Sequence, residues 1–199
     1  LGDVYKRQTL IILFIFIYSI YIGVKRGLIL QLLMSIGFFI SYGVAMALHE
    51  NLSTYVEMLV PYPSPLLTEE SPFALYSLDL LFDMDQPFYD GLSFVILLFL
   101  GWIVVRIIGR ILDFVTEIKL DYRVDSIGGA LLSFFVHYIG LFVILFVLST
   151  LPFDFIQNQI ESSWLAETMI TKTPELSQDY YSRWVEDVDP DAETSFDQD

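Results

Sequence analysis

The sequence predicts an all-α polytopic membrane protein with four transmembrane helices, an amphipathic cytoplasmic loop helix and an acidic C-terminal tail. Two observations carry this prediction. The chain is 55% hydrophobic and only 18% charged, with a mean hydropathy of +0.59, whereas about 25% of residues are charged in ordinary soluble domains. The apolar residues also collect in four runs that approach or exceed the roughly 20 helical residues needed to cross a bilayer core.

The predicted membrane-spanning segments are residues 9–24, 28–48, 92–108 and 127–151. The fourth segment is expected to stop at Pro152, because proline cannot continue a helix ladder. Residues 1–8 are predicted to be a non-native leader, since Leu-Gly-Asp-Val-Tyr-Lys-Arg-Gln resembles a translated adaptor sequence. A genuine basic N-terminus is the alternative interpretation.

The connecting segments differ in character. Residues 49–90 contain eight acidic residues and no Lys or Arg, and they are expected to form an extracytoplasmic loop. Between segments three and four, charged and apolar residues alternate every three or four positions, which predicts an amphipathic helix at the membrane surface. Residues 152–176 are predicted to form a juxtamembrane amphipathic segment, here a single helix, and residues 177–199 a disordered acidic tail.

The distribution of basic residues predicts the orientation of the helices. Cytoplasmic loops of membrane proteins retain Lys and Arg, whereas acidic residues contribute little to topology. Six basic residues lie in the first and third connections and two lie after the fourth segment: Lys25, Arg26, Arg106, Arg110, Lys119 and Arg123 against Lys172 and Arg183. Four helices with basic first and third loops place both termini outside.

Two short motifs occur in the same order and at the same spacing as in a known family. Residues 23–27 read Gly-Val-Lys-Arg-Gly between the first two apolar segments, and residues 125–132 read Asp-Ser-Ile-Gly-Gly-Ala-Leu-Leu at the start of the fourth. Together with a serine-led segment at 162–165 and Thr-Pro at 173–174, these motifs resemble the colicin V production (CvpA) family of bacterial membrane proteins. The resemblance spans roughly residues 10–176, although Ser133 stands near the place of an expected glycine.

The resemblance implies location in the cytoplasmic membrane of a bacterium. It also implies a role in the production or export of a colicin V-type toxin, or in maintenance of the cell envelope. It implies no defined chemistry, and no enzymatic activity is expected. An oligomeric channel or a transporter subunit is the alternative function.

Four basic residues are candidate anchors for lipid headgroups or for topology: Lys25, Arg26, Arg106 and Arg110. A basic side chain near anionic lipid contributes about 1 kcal/mol to membrane binding. The competing interpretation is that Lys25 and Arg26 only fix the topology. For Arg106 the expectation is that the stem stays in hydrocarbon while the guanidinium reaches the interface.

Small residues at four-residue spacing predict close helix packing within the membrane. The candidates are Gly23, Gly27, Gly37, Ser41, Gly128, Gly129 and Ser133. They are expected to pack the helices of one chain together, and the alternative is an oligomer seam or a pore lining.

His137 is the one ionisable residue well inside a predicted span. Such residues are functional candidates by default. A proton relay would need an acidic partner at membrane depth, so the expectation is a neutral imidazole bonded to Ser133 or to a backbone carbonyl.

Composition excludes several other classes of function. A formal net charge of −15 argues against nucleic acid as a partner, because phosphate backbones are bound by basic patches. The chain has no cysteine, which excludes disulfides and thiolate metal sites. No metal and no cofactor is predicted, and the expected partners are the lipid bilayer and either further copies of the chain or other membrane proteins.

Overall fold

A computed structural model of the chain describes residues 4–63, 73–76, 84–111, 121–173 and 176–186. In these ranges the regular structure is entirely helical, which confirms the predicted all-α class. The long helices are α1 (Val4–Arg26), α2 (Leu28–Leu59), α3 (Asp85–Ile111) and α4 (Tyr122–Ser149). Three short helices follow, α5 (Asp154–Glu161), α6 (Trp164–Lys172) and α7 (Leu176–Tyr181), and then a π-helical turn, Ser182–Glu186.

The four long helices are long and apolar enough to cross a membrane. In the most apolar stretch of each, between 17% and 39% of the residues are buried inside the protein. Most of their large apolar side chains therefore point outward, for example Phe14, Ile40 and Val104. Water would disfavour so much contiguous apolar surface, whereas lipid tails solvate it. The protein is a membrane protein with four transmembrane helices.

The second helix is longer than its predicted span, 28–48, and the predicted loop 49–90 therefore begins as helix. It has 32 residues, or about 48 Å at 1.5 Å per residue, against a hydrocarbon core of about 30 Å. His49, Ser53 and Val56 continue a buried stripe at helical spacing, and Pro61 is the first residue that breaks it. The hydropathy falls at residue 49, but nothing there stops the helical backbone.

The other three long helices start before their predicted spans. The first starts at Val4, inside the predicted leader, whose non-native origin stays a prediction. Pro87 falls in the first turn of α3, where a missing N–H is tolerated, so that helix begins at Asp85 instead of 92. Asp121 caps α4 by accepting a hydrogen bond from the Arg123 N–H at 3.0 Å. The helix therefore runs over Tyr122–Ser149, whereas the predicted span was 127–151.

The chain divides into two compact units. Unit 1 comprises residues 1–12, 50–93 and 142–199, and unit 2 comprises residues 13–49 and 94–141. Each unit has buried apolar side chains of its own, such as Phe142 and Tyr180 in unit 1 and Phe38 and Phe94 in unit 2.

Unit 1 corrects two predictions about the end of the chain. The single amphipathic helix predicted within 152–176 is two helices, because Ser163 leaves helical geometry and its Oγ accepts from the Ala166 N–H at 3.3 Å. The predicted disordered tail 177–199 is helical from 176 to 186, where Tyr180 and Trp184 are buried. The prediction of a tail followed the acidic composition of this stretch and overlooked the helical spacing of its aromatic residues. Residues 187–199 lie outside the described residues.

A buried polar network in unit 1 serves the C-terminal end of α4. The last carbonyls of a helix have no partner within the helix. Gln157 donates from Nε2 to the carbonyls of Ser149 and Leu151, at 3.0 and 2.6 Å, and Tyr62 donates its hydroxyl to the Thr150 carbonyl at 2.8 Å. Tyr76 lies within 3.0 Å of the Ser149 hydroxyl. The network lets α4 end inside a packed region without orphaned carbonyls.

Candidate functional site

The candidate site begins at the hairpin between α1 and α2, in unit 2. Gly27 has φ of 77°, a left-handed conformation that glycine adopts without steric penalty, and its N–H donates to the Gly23 carbonyl at 3.1 Å. The first N–H of α2, on Leu28, donates to Oδ1 of Asp125 at 2.8 Å. A carboxylate is favoured at a helix N-terminus, so Asp125 of α4 holds the hairpin in place.

The α1 and α4 backbones approach closely at small residues. A Cβ placed on Gly23 would overlap the carbonyl oxygen of Gly129 and would lie 2.6 Å from Cβ of Ser133. Ser133 donates its hydroxyl to the Ser19 carbonyl at 2.6 Å. Ser19, Gly23 and Gly27 therefore face Gly129 and Ser133 at four-residue spacing, and this packing lies within one chain.

A second close approach joins α2 and α3. A Cβ on Gly37 would lie 2.7 Å from the Val105 methyl groups, and one on Gly101 would lie 2.5 Å from Oγ of Ser41. Gly128 of α4 faces α2 instead, where its added Cβ would lie 2.7 Å from the Leu28 side chain. The structure thus places the predicted small residues at helix seams, and it adds Gly101, which sequence reasoning missed.

Two arginines meet in a cleft of unit 2, here called the arginine cleft. Its polar lining is Arg26, Gln31, Trp102, Arg106 and His137. Arg26 donates from Nη1 to Oε1 of Gln31 at 3.4 Å, and the Arg106 guanidinium lies 5.3 Å from the centre of the Trp102 ring. The cleft gathers side chains from all four long helices.

The remaining lining of the arginine cleft is apolar, and the space is small. Met34, Phe38, Val105 and Val136 form these walls. Water can occupy a volume of about 40 Å³, roughly three times the minimum that one water molecule needs. The cleft can hold a small polar group but not a bulky ligand.

His137 lies at the wall of this cleft. Its Nδ1 is 2.7 Å from the Ser133 carbonyl oxygen. A carbonyl oxygen only accepts, so Nδ1 carries the proton and, in the neutral ring, Nε2 has the free lone pair. A backbone carbonyl is one of the two partners expected for this residue.

The other predicted anchors lie elsewhere. Lys25 and Arg110 do not line the arginine cleft; both are exposed, as Arg106 is. The amphipathic loop helix expected between segments three and four falls mostly on residues 112–120, which lie outside the described residues.

Comparison with known proteins identifies the family. The family model described as colicin V production protein matches residues 9–174. This chain belongs to the colicin V production family. It is 30% identical over 168 residues to a Bacillus subtilis (strain 168) protein described as an uncharacterized transmembrane protein, YshB, and the match covers 84% of this chain and 92% of that relative. No solved structure matches the chain.

In this colicin V production family protein the two family-like motifs pack against each other. Gly23 and Gly27 of the first motif contact Gly129 and Asp125 of the second. The sequence indicates Arg26, Arg106 and His137 separately, as ionisable residues near or inside predicted spans. It gave no comparable signal for the neutral residues Gln31 and Trp102.

Proposed function

We propose that this protein supports production or export of a toxin, or maintenance of the envelope, as a membrane-embedded binding protein with no catalytic step of its own. It would act in the cytoplasmic membrane of a bacterium with both termini outside. The observation that carries the proposal is the arginine cleft, where Arg26 and Arg106 converge within a closely packed transmembrane unit. A built cationic site in such a position is suited to holding an anionic partner.

Other serine side chains of the spans donate to backbone carbonyls. Ser35 and Ser41 donate to the carbonyls of Gln31 and Gly37, at 2.8 and 2.9 Å, and Ser133 donates to Ser19. These hydroxyls satisfy backbone groups instead of lining a path for ions. This favours the binding protein over the alternative, an oligomeric channel or transporter subunit.

Complementation in cells tests the proposed role. The host is a bacterium whose own family member has been deleted and which shows a defect in toxin secretion or in detergent resistance. We expect the wild-type chain to restore the phenotype and the double variant Arg26→Gln/Arg106→Gln to fail at equal protein level. The matched control is Lys25→Gln/Arg110→Gln, which removes the same charge from the same two helices outside the cleft. Full rescue by the cleft variant would overturn the proposal.

Conductance separates the two candidate functions. The purified protein is reconstituted in liposomes, and its oligomeric state is checked by crosslinking. We expect no ion flux above protein-free liposomes. Steady single-channel currents from a stable oligomer would support the channel instead.

A further inference from the structure

We infer that the arginine cleft binds a phosphate group, the chemistry shared by anionic phospholipid headgroups and free inorganic phosphate. The inference rests on the proposed binding function and names the ligand of the same site. Its evidence is the charge, geometry, size and depth of the cleft.

In the described part of the chain, no carboxylate pairs with either arginine of the cleft. Among the residues that the structure describes, neither Arg26 nor Arg106 forms an ion pair; Asp179 and Arg183, in unit 1, form the one pair found there. The partners of the two cleft guanidinium groups are instead a neutral amide and an indole face. Two like charges beside one cleft repel each other, and repulsion grows where the dielectric is low. A bound anion would relieve it.

Each guanidinium group has a neutral partner: a 3.4 Å hydrogen bond to Gln31 for Arg26, and the Trp102 ring for Arg106, which is itself exposed. Gln31 is 2% exposed, so its amide gives Arg26 a fixed acceptor. Trp102 lies one helical turn before Arg106 and supports it through a cation–π contact. Planar guanidinium forks match phosphate oxygens in a bidentate manner.

The size of the cleft selects a small group. A water-accessible volume of about 40 Å³ can admit the oxygens of one phosphate, while apolar walls such as Phe38 and Val136 offer no hydrogen-bond partners to a sugar or a peptide. Two cations favour a group that carries more than one acceptor oxygen and a full negative charge. A phosphate meets both conditions.

The depth of the cleft brings lipid phosphates within reach. Arg26 is the last residue of α1, and Arg106 lies five residues before Ile111, the last described residue of α3. Helix ends of transmembrane segments lie near the headgroups, where tryptophan is also enriched. A headgroup phosphate can therefore enter the cleft while its acyl chains stay among the bilayer lipids.

Native mass spectrometry of the full chain tests the inference. The protein is prepared in nanodiscs of phosphatidylcholine with or without about 20% phosphatidylglycerol, because anionic headgroups attract basic side chains at the membrane surface. We expect one retained phosphatidylglycerol on the wild type. Because charge-assisted bonds are lost, the Arg26→Gln/Arg106→Gln variant should retain it about tenfold less or worse. The Lys25→Gln/Arg110→Gln variant should retain it as the wild type does.

A second arm separates the two sources of phosphate. Inorganic phosphate is titrated against protein in pure phosphatidylcholine nanodiscs and followed by ³¹P NMR line broadening. Broadening that the cleft variant abolishes supports a site open to free phosphate, and retention of phosphatidylglycerol alone supports a headgroup site. The inference is overturned if neither phosphatidylglycerol nor inorganic phosphate binds. It is also overturned if the two double variants lose phosphatidylglycerol to the same extent, or if acetate binds the wild type as strongly as phosphate does.

A further variant, and a comparison with the complementation assay, distinguish loss of binding from loss of folding or of function. Arg26→Lys/Arg106→Lys preserves the charge but not the planar forks, and we expect intermediate retention from a chain with wild-type helicity. If phosphatidylglycerol is retained through the cleft while the cleft variant still complements in cells, the site stands and the proposed function fails. If complementation depends on the cleft but neither phosphate probe binds, the ligand assignment fails alone.

Discussion

At the scale of single residues, glycine positions decide how closely the helices of unit 2 approach. Gly23 meets the Gly129 backbone directly, so neither helix can accept even one extra methyl group without moving. Gly43 lies on the same apolar background but is exposed, and a Cβ there would have nothing within 4 Å. A larger side chain therefore fits at Gly43 but not at Gly23.

The first prediction compares these two glycines. Gly23→Ala should lower the free energy of unfolding by about 1–3 kcal/mol, because overpacking forces the backbones apart. Gly43→Ala should leave it unchanged or raise it by up to about 1 kcal/mol, because the position is open and alanine favours the helix more than glycine does. Titration of the protein with SDS in mixed micelles, followed by circular dichroism, measures both. Equal losses for the two variants would contradict the close approach of Gly23 and Gly129.

A buried tyrosine gives a second prediction at this scale. Burial raises the pKa of the Tyr76 hydroxyl above its ordinary value, and the phenol lies 3.0 Å from Oγ of Ser149. The folded state then keeps its proton where the unfolded chain loses it, above pH of about 10. Stability should therefore be complete below that pH and fall as pH rises, by up to about 1.4 kcal/mol per pH unit.

The variant Tyr76→Phe isolates this group. Its unfolding free energy, measured between pH 8 and pH 11, should fall less steeply than that of the wild type. The offset at pH 8 reports the lost hydrogen bond to Ser149, and only the difference in slope reports titration. Parallel curves over this range would show that Tyr76 does not keep its proton in the folded state.

At the scale of helices, hydropathy predicted which segments span the membrane but not where the helices end. The ends depend on caps and breakers: Asp121 starts α4, and Gly27 ends α1 with a positive φ. The sequence predicts a tail over 177–199 because that stretch as a whole is rich in acidic residues, and the segment 177–186 falls within it. Its helix is stabilised by long-range ring contacts, and a local pattern does not encode those.

The third prediction tests that helix. Trp184 is 3% exposed, and its ring lies 4.6 Å from Tyr180 and 5.8 Å from Phe146 of α4. Trp184→Ala should lower the unfolding free energy by about 3–5 kcal/mol, as for other buried large aromatic side chains. Gln178→Ala, an exposed change on the neighbouring helix, should have little effect. Thermal denaturation in detergent, followed by near-ultraviolet circular dichroism, compares them, and equal midpoints would restore the tail interpretation.

At the scale of the whole molecule, the sequence predicted the class and the number of spans because both follow from composition and run length. It named Arg26, Arg106 and His137 but did not predict that they share a cleft. Successive helical residues are rotated by about 100°, so a small error in register or helix rotation would point these side chains apart. Their convergence follows from the glycine seams, whose partners only the fold reveals.

The last prediction concerns orientation in the membrane. The basic residues of unit 2 flank its helix ends, at Lys25, Arg26, Arg106, Arg110 and Arg123. By the positive-inside tendency these ends should face the cytoplasm. Single cysteines at exposed positions test this directly, since the chain has no cysteine of its own. The chosen sites are Glu57, Tyr122 and Gln178.

A maleimide that does not cross membranes is applied to intact spheroplasts before and after permeabilisation. Glu57→Cys and Gln178→Cys should react at once, whereas Tyr122→Cys should react only after permeabilisation. Because α3 separates Glu57 from Tyr122, an odd number of crossings predicts opposite sides for them. Immediate labelling of Tyr122→Cys alone would invert the orientation, and it would place the arginine cleft at the outer leaflet, where a different set of phosphates would reach it.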